Sequence, residues 1–289
     1  MRSFRLHRPT HINEALELQR EFGNESVWYA GGTELLIAMD MGIMRPGHLI
    51  DIKRLEDIEK VRVDGESVQV GPGVTHQELS EDQDIASALP IFAHMERRIG
   101  NWRVRCSGTL AGNLAFAEPR SDPATLLLAL DATVTLTSIS GYRTVRMQEF
   151  ILGPYWTARQ PDELITSIRI PTARIASYLK FQTVERPTVG VAIAGSPLDG
   201  RFVGQPVVSV GAAVAQPTLC HTGAGLLKDQ EIDARNPRVQ EAARAAAEEL
   251  DLLDDITGSA KFKARLIQAL IPRAVELMSH LSVGRASNL

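Results

Sequence analysis

The sequence predicts an α+β fold: a small alternating α/β unit, a second unit of mostly antiparallel strands, and a C-terminal α+β unit. Three observations carry this reading. Strand-like and helix-like segments alternate over the first fifty residues. From Val61 the alternation gives way to hairpins centred on Asp64-Gly65 and on Gly141. After "IPTARIASYLKF", β-rich segments lead into two long helical stretches.

Each element has a local reason. "HINEALELQREFG" spaces Ile12, Ala15, Leu16 and Leu18 for a helix that stops at Gly23. "SVWYAGG" is a strand running into a glycine pair, "TELLIAMDMG" a helix beginning at Thr33, and "HLIDI" the next strand. "VRVDGESVQV" alternates valines about its turn, and "THQELSEDQDIASALPIFAHMERRIG" is helical, interrupted before Pro90. "DELITSIRIP" is a strand closed by Pro171. In the last helix Phe262, Leu266, Leu270, Leu277 and Leu281 form an apolar stripe assigned to the core, and Pro272 predicts a kink.

Composition excludes several classes. At 289 residues, 44% hydrophobic and 23% charged, the chain is an ordinary globular protein of one large or two medium domains. A net charge of −4 gives no reason to expect nucleic acid as a partner, and Arg97, Arg98, Arg103 and Arg105 are the one basic cluster. Cys106 and Cys220 stand outside any CxxC or CxxH pattern, so this chain alone is not expected to hold an iron–sulfur cluster or structural zinc. The N-terminus has no apolar leader, and Asp131 interrupts the best apolar run, so no transmembrane segment is read. The expectation is a soluble cytoplasmic protein.

Two stretches point to chemistry. In "AGGTE" (Ala30, Gly31, Gly32, Thr33, Glu34), glycines between strand and helix let a ligand approach the main chain, and following N–H groups can serve a phosphate. "TLAGN" (Thr109, Leu110, Ala111, Gly112, Asn113) is a second stretch of the same kind, with hydroxyl and carboxamide groups available. Asp122 follows at a distance that could return its carboxylate to a ribose hydroxyl, or serve as ordinary turn chemistry in Ser121-Asp122-Pro123. Neither stretch has Walker or GxGxxG spacing, so a Rossmann site is not supported. Each alone reads equally as a tight turn. Together they suit a ligand with a pyrophosphate between two rings.

The pair "AGGTE" and "GTLAGNLAFAEPRSDPATLLLALDA" resembles the FAD-binding medium subunit of the molybdenum hydroxylases, the family of the xanthine dehydrogenase FAD domain and the aerobic carbon monoxide dehydrogenase medium chain. The likeness extends through "LIDI", "VQVGPGVTHQEL", "ELITSIRIP", the lysine of "YLKF" and "GSAKFKARLIQALIPRA". It implies a vanillyl-alcohol-oxidase-type fold: FAD-binding subdomains at 1–55 and 56–173, then a C-terminal α+β domain at 174–289. It also implies two pyrophosphate loops, Ala30–Glu34 and Thr109–Asn113, with Asp122 on the ribose or adenine side. Ile165 matches an aliphatic position near the isoalloxazine, and Lys180 a lysine near the flavin. Ala111 replaces a family glycine, Cys106-Ser107 replace the commoner Asn-Arg, and "ERPTVG" (185–190) lacks the usual acid after its arginine.

The function implied is electron transfer: electrons from [2Fe–2S] clusters pass through FAD to an external acceptor. The implied partners are a small [2Fe–2S] subunit and a large molybdenum-cofactor subunit, assembled as a dimer of heterotrimers. The alternatives are a self-sufficient flavoenzyme of this fold and a FAD-free scaffold subunit.

Overall fold

The computed structural model describes residues 2–183 and 185–282. It begins with β1 (Arg5–His7), α1 (Ile12–Phe22), β2 (Ser26–Tyr29), α2 (Leu35–Asp40) and β3 (His48–Asp51). The three strands form a parallel sheet in the order β1-β3-β2. Helical crossovers between parallel strands explain the alternation seen in the sequence.

Next come β4 (Val61–Val63), β5 (Ser67–Val70) and a run of helices: α3 (His76–Glu81), α4 (Gln83–Ala88), α5 (Pro90–Arg97), α6 (Trp102–Ser107), α7 (Leu110–Phe116) and α8 (Asp122–Ala129). The helical stretch breaks at Asp82 as well as before Pro90, because the Asp82 carboxylate accepts the N–H groups of Asp84 and Ile85 and restarts the helix. Strands β6 (Thr133–Ser138) and β7 (Gly141–Arg146) follow, then α9 (Met147–Phe150), β8 (Ile151–Gly153), β9 (Trp156–Thr157) and β10 (Leu164–Pro171). The second sheet, β4-β5-β10-β6-β7, is antiparallel at every described pairing.

The last part holds β11 (Ile175–Phe181), β12 (Val189–Gly195), β13 (Pro197–Leu198), β14 (Arg201–Phe202), β15 (Val207–Gly211) and β16 (Thr218–Leu219). Helices α10 (His221–Leu226), α11 (Pro237–Glu248) and α12 (Ala260–Ser282) close the described chain. Strands β11-β12-β15-β16 make a third, antiparallel sheet, with α12 packed on β11 and β12. The apolar stripe of α12 differs from the expected one. Phe262 is 39% exposed, and the core face is Ile267, Leu270, Ile271, Ala274, Val275 and Met278. A stripe drawn from Phe262 and the leucines misses the isoleucines, Ala274, Val275 and Met278 that set the buried face of this 23-residue helix.

Helix α8 is the apolar run "DPATLLLA", and all eight of its residues are buried. It packs on β12 and β15 on one side and on α5 and α7 on the other. A helix apolar all round belongs inside a core. None of the described helices is long and apolar enough to cross a membrane.

Candidate cofactor site

Strand β2 delivers the chain to Ala30, whose carbonyl accepts a hydrogen bond from Lys53 Nζ at 2.9 Å. Lys53 also pairs with Asp51 at 2.8 Å and lies 3.9 Å from the centre of the Tyr29 ring, so the start of the loop is tied to the end of β3. Gly32 has φ 71°, a left-handed turn that favours glycine. Gly31 marks a close approach: a Cβ there would lie 2.0 Å from the Ser107 carbonyl oxygen and 2.7 Å from Gly108 Cα. The first stretch thus meets, backbone against backbone, the two residues that lead directly into the second, more than seventy residues away in sequence.

The second stretch is less a loop than the start of a helix. Thr109 caps α7, its hydroxyl accepting the Gly112 N–H at 3.0 Å. Leu110 and Ala111 lie in the core, at 0% and 3% exposure, and the Leu110 N–H donates to the Val74 carbonyl at 3.3 Å. Ala111 is helical, and its methyl, where the family has glycine, is absorbed by the core. A Cβ on Gly112 would sit 2.9 Å from Thr109 Oγ1 and 3.9 Å from the Ala30 methyl, a second point where the stretches touch. Asn113 Oδ1 accepts from Ser121 Oγ at 2.5 Å, joining α7 to the cap of α8.

Asp122 and Lys180 come together. Lys180 Nζ lies 2.7 Å from Asp122 Oδ2, with side-chain exposures of 3% and 6%, and also donates to the Arg98 carbonyl at 2.9 Å. The Tyr178 hydroxyl donates to Asp122 Oδ1. Burial, then the adjacent carboxylate, push the Tyr178 phenol well above its usual range. Both carboxylate oxygens of Asp122 are thus engaged by β11 of the third sheet. Alternation along β11 sends Tyr178 to this side and Leu179 and Phe181 into the C-terminal core. Ile165 stands apart from these groups. It is 3% exposed, beside a β-bulge in β10, in the core that also holds Leu110 and Leu114 of α7.

Two further groups carry no local sequence signal. Arg186 pairs with Glu34 at 2.5 Å and with Glu118 at 3.0 Å. The arginine of "ERPTVG" thus finds its acids in other elements. Burial raises the pKa of Glu34, with the Arg186 charge opposing. His76 Nδ1 lies 2.6 Å from Glu96 Oε2, both side chains being buried, and the His76 N–H donates to the Gly108 carbonyl at 3.0 Å. Burial pushes the Glu96 carboxyl upward in pKa, with His76 opposing. Thr75 and Glu78 form a capping box at the start of α3, and the His76–Glu96 pair, twenty residues apart, has no local signature.

The residues present fit a pyrophosphate-bearing ligand. Two stretches without obstructing side chains lie edge to edge, at the meeting of the first sheet with the helices of the second. A fold of this kind without Rossmann spacing defines a dinucleotide-binding α+β protein outside the Rossmann class. Residues 2–173 match the model of the FAD binding domain in molybdopterin dehydrogenase. The chain is 30% identical to the nicotine 6-hydroxylase medium subunit of Paenarthrobacter nicotinovorans, over 92% of this chain and 94% of that one. It is equally 30% identical to the carbon monoxide dehydrogenase medium chain of Afipia carboxidovorans, over 95% and 96%. Its structure superposes on carbon monoxide dehydrogenase from Hydrogenophaga pseudoflava with a TM-score of 0.89 at 26% identity, covering 95% and 96% of the two chains. The chain belongs to the FAD-binding family of the molybdopterin dehydrogenases. It is an oxidoreductase subunit, and its cofactor is FAD.

Proposed function

We propose that this chain is the electron-transfer flavoprotein subunit of a molybdenum hydroxylase, taking electrons from [2Fe–2S] clusters of a small subunit and passing them to an external acceptor. A large molybdenum subunit would complete the assembly, as a dimer of heterotrimers. The observation that carries the reading is the backbone contact of Gly31 with Ser107 and Gly108, which joins two small-residue stretches into one cradle. FAD, when bound, supplies the electron exchange, and the protein supplies orientation, electrostatics and access.

The chain's own residues divide this work. Main-chain N–H groups of Ala30–Glu34 and, in Thr109–Asn113, those of Thr109 and Ala111 would hold the pyrophosphate, the N–H groups of Leu110, Gly112 and Asn113 being bonded within the protein, with Thr33 and Thr109 adding hydroxyls. Asp122 and Lys180, expected on the nucleoside and flavin sides, form one buried ion pair at 2.7 Å and would act together by seating α8 behind the cradle, while Ile165 would support it through the core behind α7. The three sheets suggest three units, near 1–55, 56–173 and 174–289.

The test is anaerobic. The isolated chain, loaded with FAD, is mixed with candidate organic substrates while flavin absorbance is followed. No bleaching until the partner subunits are added is the expected result. Rapid bleaching by a small substrate without partners would overturn the relay in favour of a self-sufficient flavoenzyme.

A further inference from the structure

We infer that Arg186 is an ionic clamp: from the connection between β11 and β12, its guanidinium fastens the two cofactor stretches to each other and to the third sheet. This makes it a positioning residue for FAD, and the inference rests on the assignment of those stretches to the cofactor.

The geometry is specific. Glu34, the last residue of the first stretch, stands at the cap of α2. Glu118 follows Ala117, whose left-handed backbone (φ 50°) ends α7, the helix that Thr109 begins. One guanidinium nitrogen of Arg186 meets Glu34 at 2.5 Å, and another meets Glu118 at 3.0 Å. The bridge therefore runs from the exit of the first stretch to the far end of the helix carrying the second.

Glu118 is a fixed anchor. It is 8% exposed, and its two oxygens accept from the main-chain N–H of Arg120 at 2.9 Å and from Arg120 Nε at 3.0 Å. The carbonyl of neighbouring Ala117 accepts the Tyr155 N–H at 2.8 Å. The same connection touches a third helix, at its start, through Asn101 Nδ2 and Glu185 Oε1 at 3.5 Å, Asn101 being the cap of α6. One short turn of the third sheet thus contacts the beginnings of α2 and α6 and the end of α7.

Magnitudes separate this role from a general stabilising one. Arg186 and Glu34 have side chains 37% and 34% exposed, and pairs near the surface add little to global stability. The effect is local, on the relative position of two stretches whose amides must converge. An arginine is required because its planar fork reaches two carboxylates at once, whereas a lysine offers a single point charge. The guanidinium charge is answered by two acids, so it positions the cradle and leaves phosphate binding to main-chain N–H groups.

Hydrogen exchange on the full chain without FAD reads the clamp directly. In Arg186→Gln, the amides of Leu36 and Ala38, bonded to the carbonyls of Gly32 and Glu34, and those of Leu110, Gly112 and Asn113 are expected to exchange about tenfold faster, together, while β15 in the third sheet is unchanged. FAD affinity is expected to fall about tenfold, with only partial recovery in Arg186→Lys. Glu34→Gln is expected to add little once Arg186 is already Gln, because the ion pair of the Glu34 carboxylate is with Arg186. Unchanged exchange in both stretches of a folded Arg186→Gln, or loosening of one alone, would overturn the clamp. Stretches that loosen together in a chain that takes up no FAD would retain the clamp and sink the FAD assignment. Stretches indifferent to Arg186 in a chain that binds FAD would do the reverse.

Discussion

Replacing Gly31 by alanine adds one methyl at the contact that builds the cradle. That carbon would lie 2.0 Å from the Ser107 oxygen, 2.6 Å from its carbonyl carbon and 2.7 Å from Gly108 Cα. All three are backbone atoms, so no rotamer change relieves the clash. Ordinary contact needs about 3.4 Å, and the two stretches must part by more than an ångström. Overpacking of this kind costs ~1–3 kcal/mol in stability. Separation also removes donors from the pyrophosphate, each charge-assisted hydrogen bond being worth ~1.5–3 kcal/mol, so FAD affinity should fall roughly 10- to 150-fold. The assay is a titration of apoprotein with FAD, followed by flavin fluorescence, beside a thermal melt of the same sample. Gly65→Ala is the control. Its φ of 82° makes alanine strained, yet no atom lies within 4 Å of the new methyl and it is a hairpin turn outside the cradle. It should lower stability by ~1–2 kcal/mol and leave FAD affinity unchanged. Wild-type affinity and melting in Gly31→Ala, or an equal loss of FAD in Gly65→Ala, would refute the reasoning.

Gly112→Val should weaken FAD more than Cys106→Ser, since Cys106 is exposed whereas a Cβ at Gly112 already meets Thr109 Oγ1 at 2.9 Å; equal affinities by titration would count against α7 as part of the site. The thiols should differ too: burial pushes the Cys220 thiol upward, so a thiol reagent should modify Cys106 alone in the native protein and both cysteines in denaturant. At Asp255, burial raises the pKa but is outweighed by the hydrogen bonds from Lys263 and Thr257, leaving it at about 2. A folded pKa below the unfolded one, ~3.9, means this pair stabilises above that value and loses its contribution as pH falls from about 4 to about 2. Urea denaturation should lose that increment over this window in wild type and not in Asp255→Asn. Finally, FAD should leave intact on acid or heat precipitation, because neither cofactor stretch holds a His or Cys for covalent attachment; flavin retained in the pellet would contradict this.

Much of the fold was legible because its signals are local. Hairpins at Gly65 and Gly141, the strand ending at Pro171 and the alternation before residue 51 follow from turn chemistry and periodicity. The break at Asp82 and the start of α7 at Thr109 differ from the expected elements because a side-chain cap turns a loop-like string into a helix start. At the site, the glycines announced a close approach without saying to what. Gly31 proves to need its missing Cβ for protein as much as for ligand. Arg186 was invisible as a pair because its acids lie at Glu34 and Glu118, far away in sequence. Contacts of that separation are set by how three sheets pack, and no local window contains them.

The placement of α8 connects these two levels. Eight buried residues, mostly alanine and leucine, give a helix strong attachment to both sides and little to fix its position along its axis. Polar groups at its start supply that register. Asp122 is held by Tyr178 and Lys180 of β11, and the Thr125 carbonyl accepts from Ser209 Oγ at 2.8 Å on β15. A buried ion pair adds little net stability, since desolvation offsets most of its attraction, but it penalises every displaced arrangement that leaves a charge unpaired. The register then passes outward. Ser121 caps α8 with its oxygen and donates to Asn113 Oδ1, so the turn of α7 that faces Ala30 is set by the seating of α8 in the core. On this view Asp122 and Asn113 need not touch FAD to govern its binding. Their hydrogen bonds relay the third sheet's position to the main-chain donors of the cradle, and the long apolar run behind the small residues gives those donors a rigid support.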